Sequence, residues 1–512
     1  MLIQDVLNKL GIKRVITATV AVLLVATSAV AAPFVVSAAT GATMNSTNDY
    51  LNQQVAWNSC GTDLYCGTVL VPMDWNNLNS KPISLAVIYH HASTAKPLGS
   101  IIFNPGGPGS SGFDFVKDSV SDLATTRLKQ NYNLVGFDPR GVQHSSAIKC
   151  VSPADLDTYI YGDSGFPLGS SKDLAFTKAA IAKFSAACAK STGPLLAHVD
   201  TINAAKDLDV LRAVMGDSKL NYLGYSYGTF LGATYAALFP TKVGRMVLDG
   251  AIDPTVSDNV QSINQLKGFD LALNDYLTDC LAKSGCPFSG SVSSALATIK
   301  SFLLGLETKP LTSTDNGRKV GVWMATSGIY MALYSNTYWP YLTQAFTSAF
   351  KGDGTTLLRL ADFYNDRNQD GTYNSNQTEA NIAINCLDSR QSSKMADMQK
   401  QNKLLLAASP TFGRYWQFGG LSCASWKYPA VKQLKSYAAK GSPTIMVVGT
   451  TGDPATPYQQ AVSLAHKVLS KGYLVTFKGE GHTAYGRSNN CVNNAVDDFF
   501  INGTLAATEP MC

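Results

Sequence analysis

The sequence predicts an α/β fold, with a mostly parallel sheet covered by helices on both faces and an inserted, mainly helical lid. Two observations predict it. Apolar segments of strand length alternate with segments of helical spacing up to about residue 255, and this alternation resumes near residue 430. Residues 256–429 contain helical stretches and aromatic residues but lack the alternation. A sheet pattern that stops and restarts indicates a helical insertion over the carboxyl edge of the sheet.

The predicted elements follow in a consistent order. The alternating segments LYCGTVLVPMDW and ISLAVIYHH indicate an antiparallel strand pair. Apolar strands then run into turns in SIIFNPGGPGSSG and YNLVGFDPRGVQHS, and a helix is predicted over DTINAAKDLDVLRAVM. Strand LNYLG, helix GTFLGATYAALF and strand GRMVLDGAIDP follow. After the lid, strand PTIMVVGTTGDPATP, helix YQQAVSLAHKVLS and strand YLVTFKGEGHTAYG resume the pattern. The chain is therefore divided into a signal peptide (1–39), a first core part (40–255), the lid (256–429) and a second core part (430–512).

Composition and the N-terminus indicate an exported protein. The chain has 512 residues, 45% of them hydrophobic, and a net charge of +5 with no basic run beyond Lys13-Arg14. Nucleic acid binding is therefore not supported. An uncharged apolar run from Val15 to Ala32 follows basic residues and ends in small residues, which favours a cleaved secretory signal over an uncleaved membrane anchor. We expect a secreted, extracellular protein without stable membrane insertion after cleavage, and association with the cell envelope remains an alternative.

The ten cysteines fit an oxidising compartment. Their spacing suggests local disulfide pairs, although sequence alone cannot determine connectivity. The suggested pairs are Cys60–Cys66, Cys150–Cys188, Cys280–Cys286, Cys386–Cys423 and Cys491–Cys512. No Cys-x-x-Cys motif is present, so a metal site is not expected.

Ser226 lies in the segment GYSYG, between a predicted strand and a predicted helix. This is the arrangement of a nucleophile elbow, in which flanking glycines permit close backbone contacts. A serine nucleophile needs a histidine base and an acid that orients it. His482 follows a predicted strand in the loop KGEGHTAYG, whereas His466, the other histidine after Ser226, lies in a helical pattern. His482 is therefore the predicted base.

The predicted acid is Asp453, which follows the preceding strand in GTTGDPATPY. Asp249 and Asp253, after an earlier strand, remain alternatives. An oxyanion hole would complete the site. Its donors are predicted to be the N–H of Tyr227 and an N–H from the glycine loop NPGGPGSSG, with Gly107 preferred and Gly106 next.

These segments together resemble the secreted tripeptidyl aminopeptidase (TAP-like) family, α/β-hydrolases related to proline iminopeptidases. The resemblance rests on NPGGPG, GFDPRGV, DLDVLRAVMG, YLGYSYGTFLGATYAALFP, VLDGAIDP, GTTGDPATPY and GHTAYG, and covers nearly the whole chain after the signal. It implies an α/β-hydrolase fold, a triad of Ser226, Asp453 and His482, and hydrolysis near a free peptide N-terminus. One departure is Asn104, where many iminopeptidase relatives carry histidine, and this weakens a transfer of proline specificity.

The resemblance also requires a group that binds the substrate's ammonium. A partly desolvated carboxylate would pair with it and discriminate against blocked peptides. Glu379 and Asp388 in the lid segment TEANIAINCLD are the candidates, with Asp249 a third. We therefore predict a secreted serine exopeptidase acting on peptides with a free N-terminus, with no cofactor or metal. An esterase or lipase with the same triad is the alternative, and an inactive hydrolase fold used for binding is a further one.

Overall fold

A computed structural model describes residues 44–512, apart from the side chains of residues 120–123. The predicted signal peptide lies outside the described residues. The main sheet has nine strands in the order β1-β2-β3-β5-β4-β6-β7-β10-β11. These are β1 (Asn58–Gly61), β2 (Leu64–Asp74), β3 (Asn77–His90), β4 (Ser100–Asn104), β5 (Asn133–Phe137), β6 (Leu220–Tyr225), β7 (Val243–Asp249), β10 (Ile445–Gly452) and β11 (Gly472–Glu480).

The sheet is mostly parallel, as the alternation of strands and helices predicts. Strands β1, β2 and β3 pair antiparallel, and β3 also pairs antiparallel with β5. From β5 through β4, β6, β7 and β10 to β11 every neighbouring pair is parallel. The carboxyl ends of these parallel strands therefore meet at one edge, which we call the sheet edge.

Helices cover both faces of the sheet. The core helices are α1 (Thr47–Leu51), α2 (Gly112–Leu123), α3 (Thr126–Asn131), α4 (Pro153–Tyr161), α5 (Ser171–Thr192), α6 (Thr201–Val214), α7 (Tyr227–Leu238), α15 (Tyr458–Ser463) and α16 (Asn490–Asn502). Consecutive residues of the central strands enter different cores: Ile102 and Leu248 pack on one face, Ile101 and Val247 on the other. Burial of both faces explains why these strands are almost continuously apolar.

The lid region contains seven helices among the described residues. They are α8 (Asp258–Leu281), α9 (Val292–Leu306), α10 (Val322–Leu333), α11 (Trp339–Ala349), α12 (Thr355–Tyr364), α13 (Gln377–Asp388) and α14 (Met395–Ala408), with a short strand pair β8 (Leu311–Thr312) and β9 (Lys319–Val320). Most of them share a separate core, in which Leu273, Ile329 and Phe346 are buried. The predicted helical insertion therefore agrees with the architecture, while its boundaries at 256 and 429 stay a prediction.

Five disulfides pair the cysteines as the spacing suggested. They are Cys60–Cys66, Cys150–Cys188, Cys280–Cys286, Cys386–Cys423 and Cys491–Cys512. Each closes a loop of the unfolded chain, and such a link typically contributes about 2–4 kcal/mol to stability. None of the helices in residues 44–512 combines the length and apolar character needed to cross a bilayer.

Candidate active site

Ser226 lies at the sheet edge, between β6 and α7. Its backbone has φ 55° and ψ −123°, a conformation that residues other than glycine rarely adopt. The turn is held by hydrogen bonds on both sides: the Ser226 N–H donates to the Asp249 carbonyl (2.9 Å), and the Thr229 N–H donates to the Ser226 carbonyl (2.8 Å). The surrounding chain thus maintains a strained turn that presents the serine at the sheet edge.

The glycines around Ser226 are required by close backbone contacts. A Cβ on Gly224 would lie 2.3 Å from the carbonyl oxygen of Gly228, and one on Gly228 would lie 2.7 Å from the carbonyl oxygen of Asn104. Neither contact is sterically possible for another residue, because the nearest atoms belong to the backbone. The first glycine of GYSYG is therefore required by close packing within the turn, and the second by the packing of the turn against β4.

His482 and Asp453 form a buried pair at the same edge. The Nδ1 atom of His482 is 2.9 Å from both carboxylate oxygens of Asp453. Asp453 also accepts the backbone N–H groups of Ala455 (2.9 Å) and Thr456 (2.8 Å), and the Thr456 hydroxyl (3.1 Å). These donors fix the orientation of the carboxylate against the imidazole. With Nδ1 donating to Asp453, the Nε2 atom of His482 is left to accept a proton.

Asp249, the alternative acid, has a different set of contacts. Its carboxylate accepts the N–H groups of Ala484 (3.0 Å) and Tyr485 (2.8 Å), while its carbonyl accepts the N–H of Ser226. Burial raises the pKa of Asp249 to about 6. Asp249 therefore connects the serine turn to the loop that carries His482.

Asp253, the other alternative acid, and His466, the other histidine after Ser226, have contacts of their own. The Asp253 carboxylate accepts the N–H and hydroxyl of Thr255 (2.8 and 2.6 Å). His466 pairs with Glu509 at 2.9 Å on the surface. The structure thus brings Asp453, and neither Asp249 nor Asp253, against the ring of His482.

The glycine loop lies directly against the serine turn. A Cβ on Gly106 would lie 3.0 Å from the Ser226 Cβ and 3.1 Å from the Tyr227 nitrogen. The N–H of Gly106 donates to the Asn104 side-chain oxygen at 3.0 Å. Since that N–H is already engaged, the next residue, Gly107, is the better candidate for the second oxyanion donor. From the sequence, Asn104 is only a departure from iminopeptidase relatives, whereas in the structure its side chain holds the glycine loop through Gly106.

A cavity of about 620 Å³ opens beside Ser226, Tyr227 and Gly107. Its walls combine the sheet edge with lid helices α8, α13 and α14. Its described lining contains the carboxylates Asp253, Asp258, Asp388 and Asp397 and no lysine, arginine or histidine. The cavity is therefore suited to a ligand that carries positive charge.

The two predicted amine-binding carboxylates lie in different places. Asp388 lines the cavity, where its oxygens accept the N–H (2.7 Å) and hydroxyl (2.6 Å) of Thr201. Burial raises its pKa to about 7, and the nearby Asp258 adds to this shift. Glu379 instead accepts the N–H groups of Cys150 (2.8 Å) and Val151 (3.1 Å), outside the described cavity lining. The structure thus brings Asp388 to the cavity and leaves Glu379 within a loop contact.

Two contributors to the site were missed from the sequence. Thr456 supports Asp453, and the signal for it was its place three residues after the aspartate in GDPAT, where a helix-capping contact is common. Tyr334 of the lid contacts His482 through its main-chain carbonyl. No sequence pattern marks a main-chain contact of this kind.

Comparison with known proteins gives one consistent family. A family model described as TAP-like protein matches residues 409–512. Serine protease Hip1 of Mycobacterium tuberculosis is 35% identical over 90% of this chain and 91% of its own. Carboxylesterase B of the same species is 36% identical over 90% of both chains. Tripeptidyl aminopeptidase of Streptomyces lividans is 31% identical over 90% of this chain and 86% of its own.

These similarities extend through the lid as well as the core, and they confirm the resemblance inferred from the motifs. The mostly parallel sheet with helices on both faces agrees with the predicted fold class. The protein is a serine hydrolase, and its chain belongs to the tripeptidyl aminopeptidase (TAP-like) family of α/β-hydrolases.

Proposed function

We propose that this protein is a secreted serine exopeptidase that hydrolyses peptide bonds near a free N-terminus. The observation that carries the proposal is the His482–Asp453 pair, which lies at the same sheet edge as the strained Ser226 turn, while Ser226 itself lines an acidic cavity. The names of two relatives, a tripeptidyl aminopeptidase and a serine protease, support the substrate class.

In the proposed reaction, the Ser226 hydroxyl attacks the scissile carbonyl carbon while His482 Nε2 takes its proton. Asp453 holds the imidazole in the required tautomer and stabilises the imidazolium. The N–H groups of Tyr227 and Gly107 donate to the oxyanion. Collapse of this intermediate breaks the C–N bond, and His482 returns the proton to the leaving amine. Water, deprotonated by His482, then hydrolyses the acyl-enzyme and releases the N-terminal fragment.

We propose Asp388 as the carboxylate that binds the substrate's ammonium. It lines the cavity, whereas Glu379 does not, and each of its oxygens retains a lone pair beyond its bond to Thr201. A bound ammonium would favour the ionised carboxylate and so offset the effect of burial on its pKa. The free N-terminus would then be recognised in a cavity that offers no competing cation among its described lining residues.

Secretion and the domain boundaries are part of the proposal. Five disulfides between described cysteines support an oxidising destination. The apolar run Val15 to Ala32 supplies the export signal. We take residues 256–429 as the lid, which restricts entry to peptide ends or flexible chains.

An esterase is the second candidate, since a relative named carboxylesterase B has comparable identity. Three substrates separate the two: a tripeptidyl anilide, its N-acetylated form and a simple acyl ester. If the protein is an exopeptidase, the free tripeptidyl anilide should be cleaved about 10–100-fold faster than its N-acetylated form. Equal rates for both peptides, with a faster ester, would establish the esterase instead.

A fluorophosphonate probe tests the nucleophile independently of substrate class. The wild-type protein should be labelled, and Ser226→Ala should not. A folded wild-type protein that resists labelling would reject catalysis and favour a binding role.

A further inference from the structure

The loop that carries His482 is held by the lid as well as by the core. The backbone N–H of His482 donates to the carbonyl of Tyr334 at 2.8 Å. The Tyr334 ring meets the imidazole edge-on, with centroids 5.4 Å apart and planes at 85°. Tyr334 directly follows helix α10. The proposed base therefore touches a lid residue through both its main chain and its ring.

Tyr334 is itself fixed within the lid. Its ring packs against Phe269 of α8 (5.7 Å between centroids) and Tyr364 at the end of α12 (6.0 Å). Three lid helices thus determine where Tyr334 lies. The chain approaches it closely at Gly481, where a Cβ would lie 3.2 Å from the Tyr334 carbonyl oxygen.

The core holds other parts of the same loop. Asp453 binds the imidazole at Nδ1, and Asp249 binds the N–H groups of Ala484 and Tyr485. The main-chain N–H of His482, in contrast, donates its hydrogen bond to the lid, at the Tyr334 carbonyl. A lid that moved away would leave this N–H without its partner and remove one wall from the imidazole.

We propose that Tyr334 is a positioning residue for His482, so that the base reaches its working geometry only when the lid is in place. This inference rests on the proposed function, because it takes His482 as the base. Lid closure over a substrate would then complete the catalytic group as well as the cavity. Such coupling matters because a displacement of about 1 Å in a catalytic group can cost on the order of 10²-fold in rate.

The test compares three variants by their rate of fluorophosphonate labelling. This small probe needs the serine and its base but no peptide-binding contacts. Tyr334→Ala, which removes the ring, should slow labelling by about 10–100-fold. Tyr334→Phe keeps the ring and should label at close to the wild-type rate. Phe418→Ala removes another ring that lines the same cavity but packs in a different hydrophobic cluster from Tyr334, so it should have a much smaller effect.

A spectroscopic signature separates positioning from a general loss of structure. The proton on His482 Nδ1 should give a low-field NMR resonance in the wild type and in Tyr334→Phe. In Tyr334→Ala it should shift or broaden even well below the melting temperature of the variant, where global unfolding cannot explain the change. If Tyr334→Ala fails to fold, Tyr334→Leu keeps apolar bulk without a ring and replaces it.

Two results overturn the inference. One is wild-type labelling and an unchanged resonance in Tyr334→Ala or Tyr334→Leu. The other is an equal loss in Phe418→Ala, which would mean that the shape of the cavity, and not the contact with His482, controls the labelling rate. Failure of the proposed function looks different: labelling would persist in Ser226→Ala, or the wild type would label normally yet cleave no peptide. In the latter case the role of Tyr334 is still measured by the labelling rate.

Discussion

The sheet edge and the lid face the same cavity but are built differently. At the sheet edge, Asp453 accepts hydrogen bonds from the His482 ring and from Ala455 and Thr456 in its own loop. The Ser226 N–H is held by the carbonyl of Asp249, which ends the neighbouring strand β7. The lid presents carboxylates and amides along helix faces, and helices α8, α13 and α14 supply Asp258, Asp388 and Asp397. We therefore expect the sheet edge to supply the reacting groups, and the lid to bind the substrate and to support His482 through Tyr334.

Asp453 and Asp249 provide the sharpest contrast within the sheet edge. Both are buried carboxylates at the ends of neighbouring strands, yet only Asp453 contacts the imidazole. Asp453→Asn should lower kcat by about 10⁴-fold, because an amide would favour the wrong imidazole tautomer. Asp249→Asn should mainly reduce stability, because it disturbs the N–H contacts of Ala484 and Tyr485. Kinetics and thermal melts of both variants measure this.

If Asp249→Asn folds and loses more kcat than Asp453→Asn, then Asp249 is the acid that supports His482 and Asp453 has the structural role. The measurement should be made on the acyl ester as well as the anilide. The ester reports the chemistry when peptide binding is perturbed.

The close packing of the glycine loop on the serine turn can be tested by adding a methyl group at Gly106. A Cβ there would lie 2.6 Å from the Tyr225 carbonyl oxygen, and the residue has φ +96°, so Gly106→Ala must displace the glycine loop from the serine turn. Loss of one oxyanion donor typically lowers kcat by about 10²–10³-fold. Gly305→Ala in lid helix α9 is the control, since nothing lies within 4 Å of its Cβ position. Equal activity in the two variants would place the oxyanion donors elsewhere.

In the lid, the prediction concerns Asp388, the carboxylate proposed to bind the substrate's ammonium. Asp388→Asn should raise KM for a free-amine peptide by about 10–100-fold and change the N-acetylated peptide little, because the lost interaction is with the ammonium. Asp397→Asn is the matched control: this carboxylate also lines the cavity but is exposed, so its loss should matter less. If Asp397→Asn had the larger effect, the ammonium would bind at the outer part of the cavity.

The sequence predicted the sheet edge better than the lid for a physical reason. Parallel strands end at one edge, so the positions of Ser226, Asp453 and His482 after β6, β10 and β11 predict that all three lie at that edge. Local cysteine spacing likewise predicted all five disulfides. In the lid, Glu379 and Asp388 lie on one helix nine positions apart, and only tertiary packing determines which one faces the cavity. The hydrogen bond between the His482 N–H and the Tyr334 carbonyl joins main-chain atoms, so no pattern of side chains in the sequence predicts it.

A smaller effect, on stability, is expected at the contact between the sheet edge and the lid. Glu480 ends β11 at the sheet edge, and its carboxyl group lies beside Asp275 of lid helix α8. Burial and the neighbouring Asp275 raise the pKa of Glu480 to about 7 from an ordinary value of 4.5. Between about pH 4.5 and pH 7, Glu480 therefore keeps its proton in the folded protein but has released it in the unfolded chain. The free energy of unfolding should therefore fall as pH rises through that window.

Glu480→Gln removes this titration, so its melting temperature should exceed that of the wild type more at about pH 8 than at about pH 5. Asp275→Asn should have the same sign, because it removes the like charge that faces Glu480. The gain should be modest, since Glu480 is only half-buried and solvent screens the pair. Differential scanning calorimetry at both pH values measures it. A gain from Glu480→Gln that does not depend on pH would mean that packing against Gly452, rather than charge between the lid and the sheet edge, controls this contact.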